Sequence, residues 1–467
     1  MRFSVLLTTV LWGTVCAAEE PAVIPTDDPA PGAWFLRSVE KSRAEYEPQY
    51  RARLDKLGTP EARARYAAML RRTIRENFVG NDEEDAAVEK ALGWPSGDFT
   101  YHNNRFYAKI GCTSWMVTPE YSATGASMLQ KTRDYSSQKL LSARLFRAAP
   151  GRYKILSVGD LWSAGSLMVM NEKGLMITQN DGPTPGKYAA RPAMTGSPFA
   201  LRYIAEHCAT LPEALAVLKK FYALGLMRSG NIYFLADPRH GAVAEATADR
   251  IAAAEIPFGF EVRSNHYLLP GMQSVVDVPR ENLHKTADRR WRANEYLRGV
   301  VREKGKIAPA DLVRLCRLRD PKQEAEGVRQ ICMQHTITST LMIPDPQFPE
   351  MLSFALLGLG PTRHTIFLPV PMAAQNMPAA LADGSWGTRN FALREKLGLD
   401  HDKLPRFEAL EAKLLTEFCA AREEARKLLL NNKRKDAAAL LERLFLAQFR
   451  EADAFLNALA EPTGAGK

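Results

Sequence analysis

The sequence predicts an α+β fold in which antiparallel sheets are covered by helices. Two features of the pattern predict it. Helical and strand-like segments fall in clusters, without the regular strand–helix alternation of a doubly wound parallel sheet. The middle of the chain is also a succession of short strand candidates separated by turn residues. The 467 residues have an ordinary globular composition, 46% hydrophobic and 25% charged, which is ample for a large core.

The chain begins with Arg2, an apolar run from Val5 to Val15 and then Cys16-Ala17-Ala18. That order of charge, short apolar stretch and small residues reads as a secretory signal cleaved after Ala18. It predicts a secreted or periplasmic protein. Cys16 raises lipid attachment as an alternative, for which Gly13-Thr14-Val15 is a poor context. The run is shorter than the roughly 20 residues of a membrane span. No later stretch is apolar enough, so no stable membrane insertion is expected.

Residues 29–92 are mostly helical in pattern, with a break at Gly58-Thr59-Pro60 and with Asn81 or Asp82 able to cap a helix ending at Leu92. Residues 106–117 mix aromatic, β-branched and small side chains, as one strand or two short ones allow. Strands are expected at 152–158, 166–170 and 174–179, with Asn171-Glu172-Lys173-Gly174 as a hairpin tip. Helices follow at 198–208 and 212–223. Thr210 with Glu213 forms a capping box around Pro212. Further strands are expected at 231–236, 241–246, 250–255 and 261–269, then a helix at 282–301, then strands at 336–343, 351–357 and 365–370. Residues 405–459 form a helical tract interrupted at Asn431-Asn432, a terminal hairpin that packs over the core or joins two copies as a homo-oligomer.

The net charge of +9 is spread out, with Arg289 to Arg292 and Lys433 to Lys435 as the tightest clusters. A dispersed surplus of this kind marks solvated surface and argues against a nucleic-acid partner. Without the signal, the cysteines are Cys112, Cys208, Cys316, Cys332 and Cys419. The odd count leaves at least one free thiol. Their spacing fits no zinc site, and no two histidines flank a glutamate at helical ligand spacing, so neither metal nor cofactor is expected. So few cysteines in so long a chain do not make a disulfide framework.

Attention therefore falls on Gly111-Cys112-Thr113-Ser114-Trp115. A cysteine here is ordinarily a small buried hydrophobe. Gly111, however, leaves room for a nucleophile to reach back onto its own upstream carbonyl. Thr113 and Ser114 can donate hydrogen bonds near a tetrahedral intermediate. A second polar strand candidate follows, Gln130-Lys131-Thr132-Arg133-Asp134-Tyr135.

Gly-Cys-Thr-Ser opening a strand, with a basic-Thr-x-Asp-aromatic stretch about twenty residues on, resembles the acyl-coenzyme A:6-aminopenicillanic-acid acyltransferase family. Choloylglycine hydrolases and acid ceramidase are more distant relatives. Three more motifs occur in order. Asn171-Glu172-Lys173-Gly174-Leu175 running to Asn180 is similar to the family's N-E-x-G-L…N hairpin. Ser264-Asn265-His266 is similar to its T-N-H strand. Thr286 to Arg292 is similar to its S-x-x-R-x-x-R helix start. The resemblance spans about residues 104–370. It implies an autoproteolytic N-terminal-nucleophile hydrolase, a four-layer αββα sandwich cut between Gly111 and Cys112. On that reading residues 19–111 are a pro-segment or small subunit, 112–400 the core and 401–467 a helical extension.

Carried over by position, the resemblance makes Cys112 the nucleophile and its freed α-amine the base, with a pKa of about 8. Asp134 would hold the amine or the nucleophile. Asn180 and Asn265 would position the amine or stabilise the oxyanion, and Arg289 would orient Asp134 or a substrate carboxylate. Lys131 and Arg133 would meet substrate. The chain departs from the bile-salt hydrolases, which carry arginine where Lys131 stands, and Arg133 takes a usually apolar position; bile salts are not implied. His266 and His335 read as structural rather than as partners of a papain-like thiol. The expected reaction is hydrolysis of a small-molecule linear amide, or transfer of its acyl group, through an acyl-Cys112 intermediate. An unprocessed thiol hydrolase and a non-catalytic secreted binding protein on the same fold are the rival readings.

Overall fold

The structure, a computed structural model, describes residues 23–25, 33–78, 82–105, 111–135, 141–146, 151–183, 195–227, 230–274 and 280–461. The signal sequence, the Asn81 cap and residues 106–110 of the expected strand lie outside the described residues.

A short strand β1 (Val23–Pro25) precedes five helices, α1 (Ala33–Val39), α2 (Arg43–Leu57), α3 (Pro60–Asn77), α4 (Asp82–Leu92) and α5 (Asp98–Arg105). The break at Gly58 falls where expected, and the Thr59 side chain caps α3 with Pro60 in its first turn. Next come β2 (Gly111–Val117), β3 (Met128–Asp134), β4 (Leu141–Phe146), β5 (Ile155–Asp160), β6 (Met168–Asn171) and β7 (Met176–Asp181). The β6–β7 hairpin turns at Gly174 with φ 83°, a left-handed angle that suits glycine. The Asn171 carboxamide accepts from Lys173 N–H and Leu175 N–H, both at 3.0 Å.

Helices α6 (Ser197–His207) and α7 (Leu211–Ala223) follow, and the predicted capping box at Thr210 and Glu213 is formed. The strands β8 (Asn231–Ala236), β9 (Gly241–Thr247), β10 (Arg250–Glu255) and β11 (Phe260–Arg263) lead to α8 (Arg280–Lys304), α9 (Pro309–Cys316) and α10 (Pro321–Ala325). The remainder is β12 (Thr336–Ile343), α11 (Pro349–Leu352), β13 (Phe354–Leu359), β14 (Leu368–Pro371), β15 (Asn376–Pro378), α12 (Ala379–Ala382), α13 (Ser385–Leu397), α14 (Leu404–Leu430) and α15 (Arg434–Ala460). Two expectations are corrected. The strand expected at 261–269 stops at Arg263, because Leu268 and Leu269 give their N–H groups to the Glu245 carboxylate instead of a ladder. The strand expected from 351 begins at Phe354, after a turn of helix opened by Pro349. The strand β4 and the helices α5, α9 and α13 were not foreseen.

Two antiparallel sheets result, one in the order β10-β9-β8-β7-β6-β5-β4 and one in the order β11-β2-β3-β12-β13-β14. Alternation along each strand sends its two sets of side chains to different layers. Met116 and Leu129 of one sheet and Met168, Met170 and Phe234 of the other share the core between the sheets. Val169, Ile177 and Tyr233 pack outward on α6, α7 and α3. Trp115, Val117 and Leu341 pack outward against α8, α9, α14 and α15. This is the predicted α+β architecture, two sheets between helical layers.

The described segments nearest each terminus are built into this body. β1 pairs antiparallel with β15. Phe35, Trp94 and Phe99 of the N-terminal segment share a core with Leu161 and Trp162. The C-terminal hairpin turns at Asn431 and Asn432, the latter at φ 60°. Phe418, Leu429 and Leu441 cover the six-stranded sheet, while Phe407, Phe445 and Phe449 reach the inter-sheet core. Among the described residues no helix is long and apolar enough to cross a membrane.

One buried pair fastens the hairpin. Arg317 donates to both Glu411 oxygens at 2.6 and 2.7 Å, and Phe367 N–H donates to the same carboxylate at 2.7 Å. Removing the carboxylate would strand a guanidinium that is 3% exposed. We expect Glu411→Ala to cost about 3–5 kcal/mol, to be measured by urea denaturation.

Candidate active site

Cys112 is the second residue of β2, and that place decides its surroundings. Cys112 pairs with Arg133 and Gly111 with Asp134 in the β2–β3 register. By parity Cys112, Ser114, Lys131 and Arg133 share the face that carries Met116 and Leu129, toward the other sheet. Thr132 and Asp134 belong to the face turned to the helices.

On the helix side, Arg289 of α8 donates from Nη1 to Asp134 Oδ2 at 2.6 Å. The other Asp134 oxygen accepts from the Thr336 hydroxyl at 2.7 Å. Burial raises the Asp134 carboxyl above the ordinary range, and Arg289 and Thr336 pull it back. Nη2 of the same guanidinium donates to Asn265 Oδ1 at 2.6 Å. That oxygen also accepts from the Cys112 N–H at 3.0 Å. Asn265 Nδ2 donates to the Asp181 carbonyl at 2.8 Å, which fixes which end of the carboxamide faces Cys112. The chain Asp134–Arg289–Asn265 therefore ends on the nitrogen that a cut before Cys112 would free.

Space at Gly111 is tight. A Cβ there would lie 3.1 Å from Asp134 Cβ and Oδ2 and 3.4 Å from Arg289 Nη1.

On the inter-sheet side, β7 lies across β2 and β3. Asn180 Oδ1 accepts from the Ser114 hydroxyl at 2.7 Å. Its Nδ2 donates to the carbonyls of Arg263 and Ser264 at 3.1 and 3.2 Å. Both amide protons are thus spent on the backbone, and Asn180 here braces Ser114 against the β11 end. Lys131 is 1% exposed and its ammonium donates to the Gln179 carbonyl. Burial pushes the ammonium toward its neutral form, while the neighbouring Cys112 sulfur and Asp160 oppose that. Arg133 reaches Asp160 of the opposite sheet at 2.5 and 3.1 Å.

All the residues singled out in the sequence are thus gathered around Cys112. Two others, Thr336 and Asp160, were not singled out, and Ser114 was given a different role. Thr336 holds the second Asp134 oxygen, Asp160 pairs with Arg133, and Ser114 ties Cys112's strand to Asn180. The motif order carried no signal for Thr336 or Asp160, which reach the site only through sheet pairing. Of the histidines, His266 accepts or donates at Nδ1 with the Thr286 hydroxyl at 2.6 Å, bracing the loop after β11 against α8. Among the described residues no group of His, Cys, Asp and Glu side chains is placed to hold a metal ion.

His266 is 7% exposed, and burial, followed by three nearby arginines, lowers its pKa to about 4. The unfolded chain takes up a proton near pH 6.5, and the folded chain does so only near 4. Stability is therefore full above pH 6.5 and falls as the pH drops from 6.5 toward 4, by about 1.4 kcal/mol per unit. Urea midpoints measured at pH 7 and pH 5 should show this loss in the wild type and a smaller one in His266→Gln.

Residues 122–313 match the sequence model of the acyl-coenzyme A:6-aminopenicillanic acid acyl-transferase family. The match begins after Cys112 and takes in Lys131 to Asp134, Asn180, Asn265 and Arg289, so it bears out the resemblance drawn from the motifs. In structure the chain is similar to penicillin V acylase from Agrobacterium tumefaciens, at 14% identity over 56% of this chain and 86% of that one, with a TM-score of 0.37. It is similar to an N-acylethanolamine-hydrolyzing acid amidase orthologue from Caenorhabditis elegans, at 16% identity over 51% and 97%, with a TM-score of 0.35. It is also similar to a variant of the conjugated bile acid hydrolase from Clostridium perfringens, at 12% identity over 56% and 92%, with a TM-score of 0.40. No curated protein matches the chain in sequence.

Proposed function

Proceeding from the family match, which makes the chain an amide hydrolase or acyltransferase, we propose that it is an exported enzyme that cuts itself before Cys112 and then hydrolyses a linear amide with that thiol. The observation that carries this reading is the hold on the Cys112 nitrogen. Asn265 Oδ1 accepts its N–H at 3.0 Å and is itself held by Arg289. An ordinary core cysteine has no use for a buried carboxylate, guanidinium and carboxamide in series behind its amide.

In the self-cleavage, Cys112 Sγ adds to the Gly111 carbonyl carbon. The C–N bond breaks, the nitrogen takes a proton, and a thioester joins Gly111 to the sulfur. Water hydrolyses the thioester and frees the Cys112 α-amine and thiol. An α-amine with a pKa of about 8 can take the thiol proton near neutrality. With Asn265 Oδ1 accepting one N–H, the lone pair of the amine is left to serve as base. The same thiol then adds to a substrate amide, expels the amine and passes the acyl group to water. Water is in large excess outside a cell, whereas acyl-coenzyme A is not found there, and this favours hydrolysis over transfer. The apolar run before Cys16 supports export.

Residues 19–111 would stay bound after the cut. The core shared by Phe35, Trp94, Phe99 and Trp162, the Arg202 pair with Glu84 at 2.8 Å and the β1–β15 ladder all join the two sides of it.

Intact-mass analysis tests the reading. The wild type should give two chains meeting between Gly111 and Cys112, and Cys112→Ala one unbroken chain. An unbroken, fully active wild type would leave the conventional thiol hydrolase in its place. Because a side chain at Gly111 presses on Asp134 and Arg289, Gly111→Val should slow the cut about a hundredfold, followed as the fraction of intact chain over time.

A further inference from the structure

The inner wall beside Cys112 is charged where an acyl pocket is usually apolar. Arg133 stands opposite Cys112 in the register and is 1% exposed. Its Nε has no hydrogen-bond partner among the described residues. Lys131, two residues before it on the same face, is equally buried. Asp160 and the Cys112 sulfur act on both side chains, Tyr135 on Arg133, and Arg133 on Lys131. Asp160 is a weak counterweight, because its side chain is 23% exposed and so partly screened by water. The Tyr135 ring centroid lies 5.7 Å from the Arg133 guanidinium, and Tyr50 of α2 comes within electrostatic reach of Asp160 and Tyr135. Two buried basic side chains facing a partly solvated carboxylate bias the field at the sulfur toward positive, and it is weakly screened because the surroundings are dry.

Resting on the proposed function, the geometry points to Lys131 and Arg133 as specificity-determining residues that select substrates bearing a carboxylate near the scissile amide. The carboxylate comes from the acyl group or from the leaving amine.

The experiment alkylates the full processed chain with iodoacetate or iodoacetamide, nearly equal in size and different in charge. Thiolate sulfur displaces iodide in both cases, and the modified peptides are quantified by mass spectrometry. Cys419 is exposed and serves as the internal reference. Relative to Cys419, Cys112 should favour iodoacetate about tenfold at low salt, and the preference should shrink as salt rises. Arg133→Gln should reduce it about fivefold and Lys131→Gln about threefold, so the test survives a misfolded Arg133 variant. Equal or slower reaction with iodoacetate at Cys112, or a preference that neither variant moves, overturns the assignment while leaving the nucleophile intact. No labelling of Cys112 by either reagent overturns the proposed function and this inference with it. Two substrate pairs then locate the carboxylate. Faster turnover of glutaryl- than pentanoyl-p-nitroanilide places it on the acyl side, and faster turnover of hexanoylglycine than hexanoyl-ethylamide places it on the amine. Preference in neither pair overturns the assignment.

Discussion

The ion pair between Arg289 and Asp134 is the constraint on which the geometry around Cys112 depends. Both side chains are 5% exposed, so each would be costly to bury without the other. Arg289 comes from a helix and Asp134 from a strand 155 residues earlier. Their contact fixes how far α8 can stand from the six-stranded sheet. The second nitrogen of the guanidinium then has one place to donate, Asn265 Oδ1, and the carboxamide is turned so that its oxygen also meets the Cys112 N–H. Loss of the pair would free the Asp134 and Asn265 oxygens that Arg289 holds and leave the carboxamide with its bond to the Asp181 carbonyl.

Strand parity divides the work around this pair. On β2 and β3, one set of side chains looks into the gap between the sheets and the other looks at the helices. Cys112 sits on the inner set with Lys131 and Arg133, where a substrate can be enclosed. Gly111 and Asp134 are cross-strand partners, with the Asp134 side chain in the outer set, where Arg289 and Thr336 can reach it. A shift of one residue in the β2–β3 register would exchange these sets and put the thiol under the helices. The Trp115 indole, donating to Gln130 Oε1 at 3.1 Å, and the apolar outer residues Val117 and Met128 oppose such a shift.

The two ends of the chain do more than decorate this frame. The N-terminal helices cap the β5 end with aromatic residues packed on Trp162, and the Trp162 carbonyl meets His102 at 2.9 Å. The C-terminal hairpin supplies part of the outer layer of the six-stranded sheet and is locked there by Arg317 and Glu411. The helical tract thus packs over the core, one of the two roles the sequence allowed for it.

Periodicity and turn chemistry in the sequence were enough to determine the α+β class, the capping box at Thr210, the Gly174 hairpin and the break at Asn431, because each is written in residues close together in the chain. The order of four motifs was enough to collect Cys112, Asp134, Asn180, Asn265 and Arg289 as one group. Only the tertiary structure decided what they do to one another. Asn265 turned out to accept at Oδ1 rather than donate there, Asn180 spends its amide on backbone carbonyls, and Thr336 and Asp160 joined the site unannounced. These outcomes depend on cross-strand register and on which sheet faces which. Those are set by packing between residues tens to hundreds of positions apart, which no local pattern encodes.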